Sequence, residues 1–275
     1  MKIAIISDIH IGPEGYHKGI KRKLTQYSEE FIHSFVQRVN TDIQPDFVVQ
    51  LGDLIEDVNL SDDLVNFQRG IEAFKSLNQP VHHLIGNHDN RNLSDEKLCE
   101  LLELDHLYYS FDAGDYHFVM LHSKAPVRGG YSFIPDEELI WLQDDLDQTG
   151  KATLIFVHHS LADQDLMGNP WFEGLPEQCL VKNRQEVRAI LETSGKVLAV
   201  INGHLHWNRV DIHSRIPYIT VQSLIENFNN DDIPAGAYAI LELDKALLKI
   251  DVLGNDIMSF SYRPRLEDPK GFNEG

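Results

Sequence analysis

The sequence predicts an α/β fold in which two β-sheets and their helices form one domain. Short apolar runs alternate with helical patterns over the larger part of the 275-residue chain. Two runs, at residues 153–157 and 197–201, are almost entirely apolar, as expected of parallel strands buried on both faces. After residue 208 the pattern is that of strands alone. A hydrophobic content of 42% is sufficient for such a core and excludes global disorder.

The charge of the chain is strongly acidic. It has 24 Lys and Arg against 43 Asp and Glu, which gives a formal net charge of −19. Nucleic-acid backbones and anionic membranes are bound by basic faces, so this charge excludes both as general partners. An anionic substrate would have to be attracted by something other than the overall field, and a bound metal ion would serve.

The first half of the chain is predicted to contain three strands and two helices. The runs that predict strands lie at residues 2–6, 46–51 and 81–85. A polar loop is expected at 11–19. From Ile20 to Val39, apolar residues recur at three- and four-residue steps, which predicts an amphipathic helix. A second helix, capped by Ser61, runs to Phe74.

In the second half, strand and helix patterns alternate up to residue 208, and strand patterns alone follow. The turn at Gly114, between runs at 108–111 and 117–121, predicts a hairpin. A helix is expected from Pro135, because the acidic residues that follow favour the positive end of a helix dipole. Another helix is expected around Val187, between the two apolar runs. The final strands are predicted at 210–212, 218–221, 237–243 and 247–252.

No linker or internal repeat divides the chain. A single domain is therefore predicted for residues 1–262, followed by a loose tail at 263–275. No apolar run approaches the ~18 residues that span a bilayer, and the N-terminus lacks the features of a signal peptide. Cys99 and Cys179 are too isolated for a disulfide framework. These features predict a cytoplasmic protein. Its oligomeric state is left open, with a homodimer among the alternatives.

Residues that can bind metal follow five of the predicted strands. They are Asp8, His10, Asp53, Asn87, His158, His204 and His206. Ligands of open α/β sheets gather outside the carboxyl ends of the strands, so we expect these side chains to converge. Residues i and i+2 of an extended chain point the same way, which would let Asp8 share a site with His10. The same spacing relates His204 to His206.

The chemistry of these side chains indicates transition metals. Carboxylate, imidazole and amide oxygen together suit Mn, Fe or Zn, whereas oxygen ligands alone would suggest Mg or Ca. Seven candidate ligands exceed what one catalytic ion requires and fit two ions that share a bridging carboxylate. The predicted cofactors are therefore two divalent or trivalent transition-metal ions.

The same residues carry a resemblance to a known family. Asp8-x-His10, Gly52-Asp53, Gly86-Asn87-His88-Asp89, His158 and Gly203-His204-x-His206 together resemble the signature of the calcineurin-like metallophosphoesterases. That family has a four-layer αββα sandwich, with two mixed β-sheets flanked by helices, and the resemblance implies this fold here. It implies a first ion held by Asp8, His10, Asp53 and His206. It implies a second ion held by Asp53, Asn87, His158 and His204, so that Asp53 bridges the two.

The resemblance also implies a phosphoesterase in which a hydroxide bridging the two ions attacks phosphorus. His88 would lie over the substrate phosphate, where it would stabilise charge or protonate the leaving oxygen. His88 and Asp53 are thus the predicted catalytic residues. Asp89 is expected either to orient the His88 ring or to be a solvated carboxylate. A solvated loop and helix start are expected at Glu56, Asp57, Asp62 and Asp63.

Fewer residues are available for predicting the substrate site. The predicted substrate-binding residues are Asn87, His88, His159 and Arg128. Of the paired histidines, His158 is favoured as the metal ligand from its match to the family's first histidine. Lys124, in the same loop as Arg128, is a further candidate for binding a second phosphate. Trp171 and Phe172 are candidates for stacking on a base, with ordinary loop packing as the alternative.

Closer resemblances leave two substrate classes open. Asp8-x-His10 and residues 86–89 resemble the branch of cyclic-nucleotide and glycerophosphodiester phosphodiesterases. Residues 81–88 and 183–188 are similar to the manganese-dependent ADP-ribose/CDP-alcohol diphosphatases. A phosphodiesterase acting on a small phosphorylated metabolite or nucleotide is preferred, and a diphosphatase or phosphomonoesterase is the alternative. A metal-free scaffold is disfavoured because every ligand is kept, and a nuclease because of the acidic charge.

Overall fold

Two six-stranded β-sheets pack face to face at the centre of the computed structural model, and helices cover the outer face of each sheet. The structure describes residues 1–126, 130–244 and 247–263. The prediction of two mixed sheets flanked by helices is confirmed.

The helices and strands have the following bounds. The α-helices are α1 (Ser28–Arg38), α2 (Leu60–Phe74), α3 (Asp95–Leu102), α4 (Asp136–Gln148) and α5 (Arg184–Ser194). The first seven strands are β1 (Lys2–Ile6), β2 (Gly15–His17), β3 (Ile20–Lys23), β4 (Phe47–Gln50), β5 (Val81–His83), β6 (Tyr109–Ala113) and β7 (Tyr116–Leu121). The others are β8 (Ala152–Val157), β9 (Val197–Asn202), β10 (Arg209–His213), β11 (Ile216–Thr220), β12 (Tyr238–Asp244), β13 (Leu247–Leu253) and β14 (Met258–Tyr262).

Both large sheets combine parallel and antiparallel pairs. The first has the strand order β14-β13-β12-β1-β4-β5, and the second has the order β10-β11-β9-β8-β7-β6. In the first sheet Ile3 of β1 aligns with Phe47 of the parallel strand β4 and with Leu241 of the antiparallel strand β12. In the second sheet β7, β8, β9 and β11 are parallel, and the edge strands β6 and β10 run the opposite way.

The largest core lies between the two sheets. Ile3 and Phe47 face this core, where the Phe47 ring packs edge-on against Phe118 of the second sheet at 4.9 Å between centroids. Ala4 points the other way and joins a second cluster with Phe35 of α1. Alternate residues of a strand face opposite sides, so burial on both faces explains why these strands are apolar at nearly every position.

The segment after β1 differs from the prediction. The predicted loop at 11–19 contains β2, which pairs with β3 in a hairpin, and the helix predicted from Ile20 begins only at Ser28. The hairpin docks on the chain after β11, where the amide of Leu24 donates to the carbonyl oxygen of Ile225 at 3.0 Å. This tertiary contact outweighs the helical periodicity of the local sequence.

Other features were also absent from the prediction. Helix α3 and strand β14 were not predicted, and α2 is capped by Asn59 rather than by Ser61. The Asn59 side chain accepts hydrogen bonds from the amides of Ser61 and Asp62, which satisfies two free donors of the first turn. Residues 264–275 of the predicted tail lie outside the described residues. Within the described ranges, every helix is too short or too polar to cross a membrane.

Candidate metal centre

Five strand ends meet at one edge of the two sheets. β1 leads into Asp8 and His10, β4 into Asp53, β5 into Asn87, β8 into His158, and β9 into His204 and His206. All of these side chains are buried except that of Asn87, which is half-buried. The structure therefore brings together the seven residues that the sequence singled out as metal ligands.

A first group is formed by Asp8, His10 and His206. The Nε2 atoms of His10 and His206 lie 3.1 Å apart, and Nε2 of His206 lies 3.3 Å from Oδ1 of Asp8. Ligand atoms bound to one ion at about 2.0–2.2 Å lie about 3–3.6 Å from one another. These separations therefore fit a common ion.

A second group contains His158 and His204, together with His159. Nε2 of His158, Nδ1 of His204 and Oδ1 of Asn87, which lines the same cavity as His204, are buried and have no hydrogen bond among the described residues. Buried polar atoms are nearly always paired, so three unpaired polar atoms around one site fit a bound cation. This donor set, one amide oxygen and two imidazole nitrogens, suits a transition metal.

Asp53 lies between the two groups. Its Oδ2 is 3.3 Å from Nε2 of His158 in the second group and 3.8 Å from Nε2 of His10 in the first. Its Oδ1 accepts a hydrogen bond from the amide of His88 at 2.9 Å. One carboxylate thus faces both donor groups, as a bridging ligand must.

Backbone carbonyls orient the histidines of the second group. Nδ1 of His158 donates to the carbonyl oxygen of Leu51 at 2.8 Å, and Nε2 of His204 donates to that of Gln178 at 3.0 Å. A carbonyl oxygen only accepts, so each of these nitrogens carries the proton. The opposite nitrogen of each ring is the one left to bind a metal.

Carboxylates serve the same purpose in the first group. Nδ1 of His206 donates to Oε2 of Glu226 at 2.8 Å, and Nδ1 of His10 lies 2.8 Å from Oε2 of Glu56. Such partners fix the ring and raise its basicity towards a metal. Sequence reasoning missed both. The expectation that Glu56 is solvated is wrong, and Glu226, 20 residues from its histidine, has no local signal.

Charges within the cluster shift its pKa values in opposite directions. Burial alone would lower the pKa of His206, but Asp8 and Glu226 raise it to about 9. Burial and the neighbouring His158 lower the pKa of His204 to about 3. The cluster therefore holds protons at some nitrogens and excludes them from others, and a metal ion would displace the protons that are held.

Most of the ligand residues have a left-handed backbone. The angle φ is 51° at Asp8, His10, Asp53 and His206 and 67° at His204. Such values are uncommon for non-glycine residues and cost about 1–3 kcal/mol each. The extended-chain geometry assumed for the i and i+2 pairs is therefore wrong, although the paired side chains do face one cluster.

Two glycines allow the backbone to approach the carboxylates. A Cβ atom at Gly86 would overlap the carboxylate of Asp53, and one at Gly203 would lie 2.6 Å from Oδ2 of Asp8. Glycine is required at both positions because any side chain would displace a ligand.

His88 is held at the rim of the centre by two charged side chains. Its Nδ1 lies 2.5 Å from Oδ1 of Asp57, and its Nε2 lies 3.0 Å from the ammonium nitrogen of Lys23. An ammonium only donates, so Nε2 of His88 accepts and Nδ1 donates to Asp57. Lys23 also lies 2.6 Å from Oε2 of Glu56. The positions of Asp57 and Glu56 correct the prediction of a solvated acidic loop.

Asp89 does not contact the His88 ring in this structure. Its buried carboxylate accepts from the amide of Gly86 at 2.8 Å and from that of Ile55 at 3.1 Å. Burial and the nearby charge of Asp53 raise the pKa of Asp89 to about 8. Asp89 therefore ties together the loops that carry Asp53 and Asn87, and both roles expected for it are wrong.

A cavity of about 470 Å³ opens over the ligand cluster. Asp53, Asn87, His88 and His204 form its floor, and its walls include Lys23, Arg91, Tyr16, Trp171 and Phe172. Cavities of small-molecule sites span about 300–1,000 Å³. The cavity is therefore large enough for a metabolite or a nucleotide.

The predicted substrate-binding residues have different positions. Asn87, His88 and His159 line the cavity, and Nδ1 of His159 is bonded to the hydroxyl of Ser123 at 2.7 Å. Arg128 lies outside the described residues. The ammonium of Lys124 is 2.7 Å from Asp95 and lines a different cavity. Lys23, on the unpredicted hairpin, is instead the lysine beside His88.

Comparisons with known proteins agree with this geometry. The family model of the calcineurin-like phosphoesterases matches residues 1–208. A 3',5'-cyclic-nucleotide phosphodiesterase of Nostoc is 26% identical over 209 residues, which cover 75% of this chain and 71% of the relative. A probable cyclic nucleotide phosphodiesterase of Moraxella catarrhalis is 26% identical over 225 residues, covering 72% of this chain and 75% of the relative. The crystal structure of a dimetal phosphatase from Danio rerio superposes with a TM-score of 0.76 at 20% identity, covering 95% of this chain and 98% of that one.

Proposed function

The chain belongs to the calcineurin-like phosphoesterase family, and from this premise we propose that it hydrolyses a small phosphodiester at two metal ions. The preferred substrate is of the cyclic-nucleotide or glycerophosphodiester type. The observation that carries the proposal is the pair of donor groups on either side of Asp53, open to one cavity.

The two groups would divide the ions between them. Asp8, His10, Asp53 and His206 would hold one ion, and Asp53, Asn87, His158 and His204 the other. Two bound ions, which the family implies, would clamp phosphate oxygens and lower the pKa of a water molecule that supplies the nucleophile. They would also provide the positive charge that an acidic chain with a net charge of −19 lacks. Mn, Fe and Zn all suit these ligands.

His88 and Lys23 would act on the substrate from the side of the cavity. Asp57 holds the His88 ring through Nδ1, which points Nε2 towards the Lys23 ammonium. A phosphate oxygen placed between these two atoms would accept from Lys23 and would replace the present contact. Lys23 would then stabilise charge on phosphate, and His88 would contact the leaving oxygen.

The walls of the cavity favour a small organic diester. Trp171 and Phe172 form one side, and Tyr16, which is 64% exposed, stands at the rim. Aromatic faces of this kind stack on a nucleobase. The names of the two cyclic-nucleotide phosphodiesterases among the relatives support the same substrate class.

A nucleoside-diphosphate compound such as ADP-ribose is the second candidate. A diphosphate brings a second phosphate next to the metal-bound one, and that phosphate needs a local cation. Lys23 satisfies this requirement, because its side chain is only 6% exposed and lines the cavity. The two candidates thus differ in whether Lys23 must bind a second phosphate.

A substrate panel separates the candidates. The manganese-loaded enzyme is assayed on a cyclic nucleotide, a glycerophosphodiester, ADP-ribose, CDP-choline and a simple monoester. We expect kcat/KM for the best diester to exceed that for ADP-ribose by at least about tenfold, which corresponds to 1.4 kcal/mol. A preference for ADP-ribose or CDP-choline by the same factor would favour the diphosphatase.

The Lys23→Met variant tests the same choice independently. If the substrate is a diester, the loss in kcat/KM should be similar for all substrates. If it is a diphosphate, KM for ADP-ribose should rise about 10–100-fold more than KM for a diester, the value of one charged hydrogen bond. Lys21→Met is the matched control, because Lys21 lies on the same hairpin but pairs with Glu14.

A further inference from the structure

Glu226 is a buried carboxylate that belongs to none of the sequence motifs. It lies in the segment after β11, its exposed fraction is 1%, and it is in contact with two parts of the site. A charged group is expensive to bury unless its oxygens are hydrogen-bonded. The groups that donate hydrogen bonds to Glu226 therefore indicate its role.

A single oxygen of Glu226 accepts two hydrogen bonds. Its Oε2 accepts from Nδ1 of His206 at 2.8 Å and from the indole Nε1 of Trp171 at 3.0 Å. His206 belongs to the first donor group of the metal centre, whereas Trp171 lines the substrate cavity. The indole and imidazole rings are themselves 5.8 Å apart, edge to face. The metal centre and the cavity wall thus share one acceptor atom.

The β2–β3 hairpin completes the surroundings of this atom. The guanidinium of Arg22 lies 3.8 Å from the other oxygen of Glu226, and Lys23 forms a backbone bridge with Glu226. The ring of His17 packs at a tilt of 40° against Trp171, with 4.9 Å between centroids, and the Lys23 ammonium lies 5.4 Å from the centre of the indole. Trp171 is therefore held by Glu226 itself and by the β2–β3 hairpin, and His206 shares the same acceptor oxygen.

We propose that Glu226 is a positioning residue that couples the metal centre to the substrate wall, by holding the metal ligand His206 and the cavity residue Trp171 on one carboxylate oxygen. The proposal rests on the metal assignment of the proposed function and is independent of the substrate. It predicts that filling the first ligand group changes the environment of Trp171, because both rings donate to one oxygen and an ion on His206 would fix the position of that oxygen.

The coupling is reciprocal by thermodynamic necessity. If metal binding strengthens the fixed position of Trp171, then loss of the Trp171 bond must change the affinity for metal by the same factor. Loss of Glu226 removes both effects at once. Partners of metal-ligating histidines typically contribute 10–100-fold in metal affinity, which sets the size of the expected change.

The first measurement is a calorimetric titration of the metal-free protein with Zn²⁺. Glu226→Gln should bind Zn²⁺ about 10–100-fold more weakly than the parent at the affected site. Glu173→Gln is the matched control, because it removes one negative charge from the exposed part of the same loop as Trp171 and should stay within about twofold. Equal affinities of Glu226→Gln and Glu173→Gln would overturn the proposal.

The second measurement follows the fluorescence emission of Trp171 in the cavity wall. The chain has three tryptophans, so Trp141→Phe combined with Trp207→Phe leaves Trp171 as the single indole. Zn²⁺ should produce a saturable change in its emission with the same midpoint as the calorimetric titration. With Glu226→Gln added, saturating Zn²⁺ should no longer change the emission. A change of the same size with and without Glu226 would show that the coupling bypasses this residue.

Two further variants separate the possible failures. Trp171→Phe keeps Glu226 and should weaken Zn²⁺ binding by about 2–5-fold, the reciprocal effect of one shared hydrogen bond. If Glu226→Gln does not fold, the Trp171→Phe variant is the test. A Zn²⁺ affinity of Trp171→Phe equal to that of the parent would then contradict the coupling. His206→Ala should lose one ion. If it binds two ions like the parent, the metal assignment fails together with the proposal. If no phosphoester is hydrolysed while the titrations behave as expected, only the proposed substrate fails.

Discussion

His117 lies within β7 and His158 directly follows β8, the neighbouring strand of the second sheet. Both are buried, but their ring nitrogens have different partners. Nδ1 of His117 lies 2.7 Å from Asp112, and its Nε2 lies 2.7 Å from Asp145. Nε2 of His158 has no hydrogen bond to any described residue, although Asp53 lies 3.3 Å away. One cluster gives each ring nitrogen a carboxylate partner, whereas the other leaves ring nitrogens unpaired that could bind a cation.

The difference shows that burial and residue type do not identify a metal centre. Both clusters combine a buried histidine with aspartate, although Asp112 of the His117 cluster is half exposed. What distinguishes them is the balance of donors and acceptors, since a cluster of lone pairs is costly unless a cation completes it. The changes described next should therefore affect the metal centre and the His117 cluster in different ways.

The largest effect is expected from Asp53→Asn. The amide keeps one oxygen but loses the charge and replaces the other oxygen by a group that cannot bind metal. Metal analysis should find fewer than two ions per chain, and kcat/KM should fall at least about 10³-fold, because the ions supply several kcal/mol of transition-state stabilisation. Asp145→Asn in the other cluster is the control and should keep both ions. Two retained ions and full turnover in Asp53→Asn would contradict the bridging role.

A smaller loss is expected from His88→Ala. This change should leave the metal content intact and lower kcat by about 10²–10⁴-fold for a substrate with a poor leaving group. If His88 donates a proton, a nitrophenyl ester should lose less, since its leaving group needs none. Equal losses for both esters would assign His88 to charge stabilisation alone. His33→Ala, on the exposed side of α1, controls for loss of a histidine.

The metal-free protein should respond to pH through the same cluster. Burial opposes the charge of His158 and His206, but the neighbouring carboxylates raise the pKa of each to about 9, above the ordinary value of 6.5. Their contribution to the free energy of unfolding is therefore full below pH ~6.5 and is lost as the pH rises through about 9. In excess chelator, urea unfolding should show a decline on the order of a few kcal/mol over this window.

Metal-loaded protein should not show that decline, because the ions replace the protons. A chelated protein whose stability is constant or rises from pH 6.5 to 9 would contradict the assigned charges.

The smallest effect is expected at the other cluster. His117→Gln leaves Asp145 and Asp112 with poorer partners and should lower the free energy of unfolding by about 1–3 kcal/mol, the cost of unpaired groups. Metal content and kcat/KM should stay within about twofold of the parent, which is less than 0.5 kcal/mol. A loss of metal in this variant would mean that the two clusters are not independent.

That the proposed metal ligands lie close together was predictable, because each follows a predicted strand. Asp8 and His204, for example, come within two residues of the end of a buried strand, and the topology brings such ends together. The layers of the fold were predictable for the same reason, since hydrophobic periodicity depends on local sequence.

The surroundings of the ligands were not predictable in this way. Lys23 reaches His88 only because a hairpin docks on the chain after β11, and Glu226 reaches His206 from a segment without a pattern. Asp57 and Glu56 look like solvated acids until their histidine partners are in place. Such contacts depend on tertiary structure, which no short sequence window contains.

At the proposed ligand residues with a left-handed backbone, a change that stabilises the metal-free chain would weaken metal binding. At Asp8, His10, Asp53, His204 and His206 the backbone is strained, and glycine is the residue that would relieve it. Each such replacement would remove a ligand while making the metal-free chain easier to fold. Laboratory evolution for thermal survival without added metal would therefore tend to erode activity first at these five positions, whereas selection with metal present would preserve them.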